Sequence, residues 1–206
     1  MSDVPQSKEG YPLSLHDQLS EWAEGRMATE DAIRLGGFSS FWHLVKTTID
    51  HDIPLRRNFT PAEAALASVS DRTGQDPPRL DAHEITERAK LLQHQIYAVT
   101  VEATPTLITE AIAMLEKNIA SDGGYAGDRL WLDLRKTRPW AEVHAQAIAD
   151  TEDGRTLRSS NPFARLIGVK NPETRRALWR LAKIQLMHEA APSDCDTSRN
   201  EGQAPA

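Results

Sequence analysis

Helix-start signals divide this chain, and they constrain its fold more than any other feature. In Thr60-Pro61-Ala62-Glu63, the threonine hydroxyl and the glutamate carboxylate can each bond a backbone N–H of the first turn. Asp81-Ala82-His83-Glu84 repeats that spacing, while Asn161-Pro162 and Asn171-Pro172 each place proline directly after a capping side chain. Apolar residues at helical spacing follow these signals, so the sequence predicts an all-α fold.

The same punctuation predicts two helical parts. A short N-terminal three-helix, helix-turn-helix-like unit is followed by a helical bundle built on a long antiparallel hairpin over 81–121, because neither hairpin helix can bury its apolar stripe alone. Gly-Gln-Asp-Pro-Pro-Arg-Leu has the composition of a linker. The predicted divisions are a flexible N-terminus 1–12, the N-terminal helical unit 13–73, the linker 74–80, the helical bundle 81–188 and a disordered tail 189–206.

Individual helix ends are predicted from local residues. Ser14, Thr29 and either Ser39 or Ser40 are the expected caps of the first three helices. Residues 130–134 alternate like a strand but have no partner strand, so we expect them to be helical. A helix from Pro139 should run to about residue 150, with glycine 154 closing it.

Composition favours a soluble cytoplasmic protein. The 206 residues contain one cysteine, Cys195, so no internal disulfide can form, as is typical of a reducing compartment. No apolar run approaches the roughly 18 residues that a membrane span needs. The polar first ten residues lack the basic and apolar regions of a secretory signal.

Charge is distributed unevenly along the chain. The net charge is −6, yet residues 155–188 carry eight cations against the single carboxylate of Glu173. The preceding 154 residues carry −10 and the tail from 189 carries −3. Charge blocks of this kind indicate partners more than they indicate fold, and this one indicates an acidic body with a basic rear segment.

The segment 25–55 resembles the helix-turn-helix modules of bacterial antitoxins and small regulators. A short helix is followed by Gly36-Gly37, then by Phe38-Ser39-Ser40 and a second helix. Either glycine can be the turn glycine of that motif. The resemblance implies that the helix from residue 41 contacts DNA and that the protein regulates transcription or acts as an antitoxin.

The outward face of that helix is weakly suited to DNA. On a helical wheel it carries His43, Lys46, Thr47 and Asp50, whereas reading DNA requires cations and amide or guanidinium groups. Arg56 and Arg57 follow and could touch phosphates. The alternative is that the segment is a packing unit of three helices with no DNA contact.

The helix predicted over 172–188 carries a sharper signal. Its apolar residues lie on one side, and a tryptophan lies among cations on the other. This combination suits a phosphate backbone with base stacking, and it equally suits an acidic protein. In a third interpretation the tryptophan packs under 163–167 and the cations pair with the acidic body. The outward residues are Arg175, Arg176, Trp179, Arg180 and Lys183.

No catalytic or metal motif is complete. His83 and Glu87 stand one helical turn apart, but no second histidine follows at the spacing of a zinc protease. There is no Gly-x-Ser-x-Gly elbow, and Cys195 lies in a polar tail without a base beside it. The remaining histidines are scattered over different helices. We therefore expect a non-enzymatic protein without cofactor or metal.

Two functions remain open from the sequence. The first is a DNA-associated regulatory or antitoxin-like protein that uses the helix-turn-helix and the basic C-terminal helix, with the 81–121 segment supplying a homodimer or partner surface. The alternative is a non-catalytic helical adaptor or inhibitor, of phage or mobile-element type, that binds another protein. The acidic net charge favours the second, and the basic helix favours the first.

Overall fold

The computed structural model describes residues 13–56, 58–67 and 80–190. Within these ranges every regular element is a helix, which confirms the all-α prediction. In chain order the helices are α1 (Leu15–Ala23), α2 (Thr29–Gly36), α3 (Phe41–Asp50), α4 (Pro61–Leu66), α5 (Ala82–Ala103), α6 (Thr106–Asp122), α7 (Ala126–Thr137), α8 (Trp140–Ile148), α9 (Glu152–Ser159), α10 (Phe163–Ile167) and α11 (Pro172–Glu189).

Most of the predicted caps are present. The Ser40 hydroxyl accepts the His43 N–H, which decides between the two candidate serines. Thr60 and Glu63 form the predicted reciprocal capping box of α4. The side chains of Ser14, Asp81 and Asn171 likewise accept first-turn N–H groups of α1, α5 and α11.

Three local predictions were wrong. The N-cap of α10 is Pro162 and not Asn161, although the Asn161 amide oxygen accepts the Phe163 N–H over 2.8 Å. Ala28 is the N-cap of α2, and Thr29 is its first residue, because its hydroxyl is buried in contacts with other helices. The helix from Trp140 ends at Ile148, and Gly154 lies inside α9. A Cβ at Gly154 would lie 2.2 Å from the Ala149 carbonyl oxygen, so this glycine permits close packing and does not end a helix.

The three-helix N-terminal unit is formed by α1, α2 and α3. Gly36 is the last residue of α2. Gly37 follows as the C-cap with a left-handed φ of 67°, so it is the glycine at which the chain turns. Trp22 of α1 is fully buried and meets the Phe41 ring of α3 edge to face, with 6.3 Å between centroids. The helices are therefore held by an aromatic core.

Helix α5 is the central element, but it does not form the expected hairpin with α6. The chain bends by 116° between the two helices, so they diverge and do not lie antiparallel side by side. The apolar stripe of α5 is covered by α11 and α3, and α6 packs mainly on α7. The apolar stripe of α5 is thus buried by helices distant in sequence, whereas the sequence analysis expected the adjacent helix α6 to bury it.

Two hydrophobic clusters lie along α5. The first combines residues of α1–α4 with Ile85, Leu92 and Ile96 of α5 and with the buried side of α11. The second joins the C-terminal end of α5 to α6–α10 around Trp131 and Phe163. The first cluster therefore includes residues from both sides of the predicted linker 74–80, of which 74–79 lie outside the described residues.

The segment 130–134 is helical as predicted and lies in α7. Of the residues described, no single helix is both long and apolar enough to cross a membrane. The bent pair α5 and α6 meets that test of length and composition only when both helices are taken together.

Candidate functional site

The residues predicted to bind a partner lie in two places, on α3 with the segment after it and on α11. On α3 the outward residues His43, Lys46 and Thr47 are half-buried, Asp50 is exposed, and their contacts are local. The Ser39 N–H donates to Nδ1 of His43 over 3.3 Å, and the Thr47 hydroxyl donates to the His43 carbonyl over 2.9 Å. Lys46 forms an ion pair with Asp50 one turn later. The outward face of α3 therefore offers no unpaired cation among these residues.

The arginines after α3 have different positions. Arg56 is engaged inside the fold, where it pairs with the buried Glu63 and lies over the Trp22 ring, 5.9 Å from its centroid. Its side chain is therefore unavailable for a phosphate without breaking these contacts. Arg57 lies outside the described residues.

Helix α11 separates into a buried and an outward side. The buried side faces α5 and α4 and includes Leu178 and Leu181. Gln185 also lies there and donates to the Ala64 carbonyl over 3.0 Å. The outward side, which we call the α11 outer face, consists of Arg175, Arg176, Trp179, Arg180, Lys183 and Met187.

The cations of the α11 outer face differ in their pairing. Arg176 pairs with Glu173 three residues before it, and both side chains are exposed. Arg175, Arg180 and Lys183 form no ion pair with any residue that the structure describes. Arg180 is half-buried, and its Nε has no hydrogen-bond partner in the described part of the chain. The face thus carries positive charge that the folded body does not neutralise locally.

Trp179 points outward from α11. It is 40 % exposed, and Met187 on the same face is 51 % exposed. In the alternative interpretation this indole would pack under the segment 163–167. Phe163 of that segment instead packs against Trp131 and Trp140. A large aromatic side chain at the surface among cations can stack on a planar group or dock into a partner's pocket.

Other cations of the basic rear segment are used within the fold. Arg158 is buried and donates to the carbonyls of Ala147 and Ala149, over 2.7 and 3.0 Å, at the end of α8. Burial lowers its pKa. Arg155 pairs with Asp150. Of the eight cations in 155–188, five therefore lie on α11 or directly before it, and with the one carboxylate of Glu173 they give this part a net charge of +4.

A concavity that the sequence analysis did not predict lies at the N-terminal end of α5. It has a volume of about 780 Å³ between α5, α7, α9 and α10, and its lining includes His83, Glu87 and Arg155. Tyr125, which is 72 % exposed, stands at its edge. No group of three possible metal ligands comes together in the described ranges. The sequence signal was the one-turn spacing of His83 and Glu87, but it did not reveal the helices that complete the cleft.

The comparisons with known proteins give no relative. No family model, no curated protein and no solved structure matches this chain. The resemblance of 25–55 to helix-turn-helix modules therefore stays a prediction.

Proposed function

We propose that this chain is a DNA-associated regulatory protein that binds nucleic acid through the α11 outer face. The observation that carries the proposal is the exposure of Trp179 beside Arg175 and Lys183, neither of which pairs with a described carboxylate. Cations that lack an internal partner gain most from phosphates, because phosphates release condensed counterions when they are neutralised. We further propose a cytoplasmic, non-catalytic protein that contacts DNA as a homodimer.

Helix α3 contributes less to DNA affinity than α11 does. In a helix-turn-helix protein the recognition helix inserts its outward side chains into the major groove. Here the charge of Lys46 is neutralised by Asp50. The Asp50 carboxylate would repel phosphates, and this face has no further cation to offset it. Helix α11 carries the greater positive charge, so we assign it the main contribution to affinity.

The acidic remainder of the chain sets a limit on this binding. With a net charge of −6, the protein repels DNA at long range, and attraction is confined to the α11 outer face within about one Debye length, roughly 8–10 Å. We therefore expect modest affinity and a defined orientation of the protein on its ligand.

The direct experiment is binding of labelled mixed-sequence DNA at low salt by fluorescence anisotropy. The triple variant R175A/R180A/K183A should lose most of the affinity, because each lost phosphate contact removes counterion release. The matched control removes three exposed cations that lie in α6, in α7 and at the C-cap of α7, as K117A/R129A/R138A. It has the same net charge, and we expect it to bind nearly as the unmodified protein does.

Two results would overturn the assignment. One is absence of DNA binding at low salt by the unmodified protein. The other is an equal loss of affinity in the two triple variants, which would mean that total charge matters and the α11 outer face does not. Circular dichroism establishes that both variants are folded before the comparison.

A second candidate function is supported by the apolar part of the same face. Trp179 and Met187 are both large, exposed and apolar, and tryptophan and arginine are common anchors of protein interfaces. In this alternative the chain is an adaptor or inhibitor that docks α11 on an acidic protein. A pull-down with and without nuclease separates the two functions, since a protein partner survives digestion and a nucleic-acid bridge does not.

A further inference from the structure

We propose that the α11 outer face selects single-stranded nucleic acid over duplex, and that its binding track extends beyond α11 to Lys170. This inference rests on the proposed nucleic-acid function and specifies the class of ligand. The residues that carry it are Arg175, Trp179 and Lys183, together with a small groove at the start of the helix.

The three residues form one straight row. They are spaced four residues apart, so they lie on consecutive turns of the same helix side, about 5.4–6 Å from one to the next. The tryptophan is in the middle, with a cation one turn before it and another one turn after it. An extended single strand that followed the row would place phosphates beside the two cations and a base beside the indole.

The exposed indole of Trp179 favours single strands over duplexes. Base–aromatic stacking requires an unpaired base whose face is accessible, and a duplex offers only its backbone and the edges of its bases. Of the five tryptophans, Trp22, Trp42 and Trp131 are buried, and Trp140 is half-buried against Phe163. Trp179 is therefore the indole that a ligand can reach, and a duplex would leave it without a stacking partner.

The row continues towards a groove at the N-terminal end of α11. This groove, with a volume of about 230 Å³, lies between α3, α5 and the segment 167–171. Lys46 and Lys170 line it together with apolar side chains that include Ile96 and Val169. Asn171 also lines the groove, and it stands one turn before Arg175 in the same row. Lys170 is exposed, and it belongs to the basic rear segment but was not among the predicted binding residues.

The groove brings α3 and α11 to the same track. Lys46 lines the groove, but it is paired with Asp50, which lines the groove as well, so the cation that this end of the track contributes is Lys170. The track is thus positive at both ends and aromatic in the middle.

The test uses an oligothymidylate of about twelve nucleotides and a duplex of matched length and mixed sequence. Intrinsic fluorescence should be quenched by the oligothymidylate and much less by the duplex. The quenching should be largely lost in W179F, because the other four tryptophans are buried or half-buried. By anisotropy, W179A should bind the single strand about 5- to 150-fold more weakly, which is the loss expected for one stacked base. K170A should weaken binding by a smaller, salt-dependent factor, whereas K117A on α6 should not.

The outcomes separate this inference from the function on which it rests. If neither ligand binds, the proposed nucleic-acid function fails. If both bind with similar affinity and W179A binds like the unmodified protein, the function stands and the single-strand inference is wrong. Tighter binding to the duplex would contradict the inference as well. If W179A unfolds, the quenching difference between the two ligands in the unmodified protein still decides.

Discussion

At the scale of single residues, buried His94 links the stability of the second hydrophobic cluster to pH. It is 3 % exposed, and the Asn161 amide donates to its Nε2 over 2.9 Å. Its ring stacks on Trp131, with 6.4 Å between centroids. Burial, helped by the nearby charges of Arg158 and His144, lowers its pKa to about 3. The folded protein therefore keeps this imidazole neutral at every physiological pH.

We predict that the stability contributed by His94 is lost as the pH falls. An unfolded histidine has a pKa near 6.5, so below that pH the unfolded chain binds a proton that the folded chain excludes. The contribution is complete above about pH 6.5 and decreases towards pH 3, by at most about 1.4 kcal/mol per pH unit. Urea unfolding between pH 7.5 and 5 measures the slope, and H94Q, which cannot titrate, should flatten it. An unchanged slope in H94Q would rule out His94 as its source.

Gly127 allows α7 and α9 to approach closely. A Cβ at this position would lie 1.9 Å from Oγ of Ser160 and 2.5 Å from its Cβ. We predict that G127A costs about 1–3 kcal/mol of unfolding free energy, because the helices must separate. The double variant G127A/S160G removes both clashing atoms and should recover most of the loss. Chemical denaturation of the three proteins tests this, and no recovery in the double variant would contradict the steric explanation.

At the scale of elements, a buried hydrogen-bond chain joins α1, α2 and α4. The Trp22 indole N–H donates to the Thr29 hydroxyl over 2.9 Å, and that hydroxyl donates to the Glu63 carboxylate over 2.5 Å. The Thr60 N–H also donates to Glu63, over 2.8 Å. Although burial opposes the charge, hydrogen bonds from Thr29 and Thr60 and the nearby Arg56 lower the pKa of Glu63 overall.

We predict that T29V destabilises the protein by about 1–3 kcal/mol. Valine has nearly the shape of threonine, but it leaves the Trp22 indole N–H without an acceptor and removes one of the hydrogen bonds to the Glu63 carboxylate. T29S keeps the hydroxyl and loses a methyl group, so it is the matched control and should cost less. The measurement is the midpoint of thermal or urea unfolding. Equal destabilisation by the two variants would show that packing of the methyl group, and not the hydroxyl, matters at this junction.

The elements also show how far the sequence could be interpreted. Caps such as Thr60 and Asn171 act within four residues of their partners, so their helix starts were predictable. The outward position of Trp179 followed from the helical wheel, but its exposure also required that no other helix cover it. The divergence of α5 from α6 was unpredictable, because it depends on α11 binding to α5 from about 90 residues away. The cleft beside His83 was missed for the same reason.

At the scale of the whole molecule, the first hydrophobic cluster unites chain segments that are far apart in sequence. Arg88 of α5 is buried and forms two bonds to the Glu189 carboxylate at the end of α11, of 2.6 and 2.8 Å. Helices α3 and α4 pack on α5 and α11 respectively. The N-terminal helices therefore obtain part of their burial from the C-terminal half.

We predict that a fragment of residues 1–73 does not fold independently. Without α5 and α11 it would expose the buried faces of α3 and α4, whose area would no longer offset the conformational entropy of folding. Circular dichroism should show low helicity and no cooperative thermal transition for the fragment. The whole chain should unfold in one transition. A cooperative transition in the fragment would instead establish 13–73 as an autonomous domain.

The central claim is that the cations of the α11 outer face contact phosphates, and the salt dependence of affinity tests it most directly. With three or four phosphate contacts to a single strand, the logarithm of the association constant should fall linearly with the logarithm of the salt concentration, with a slope of about −2 to −3. R175A/R180A/K183A should reduce the magnitude of that slope, and K117A/R129A/R138A should not. A slope near zero for the unmodified protein, or one that the first triple variant leaves unchanged, would contradict the claim.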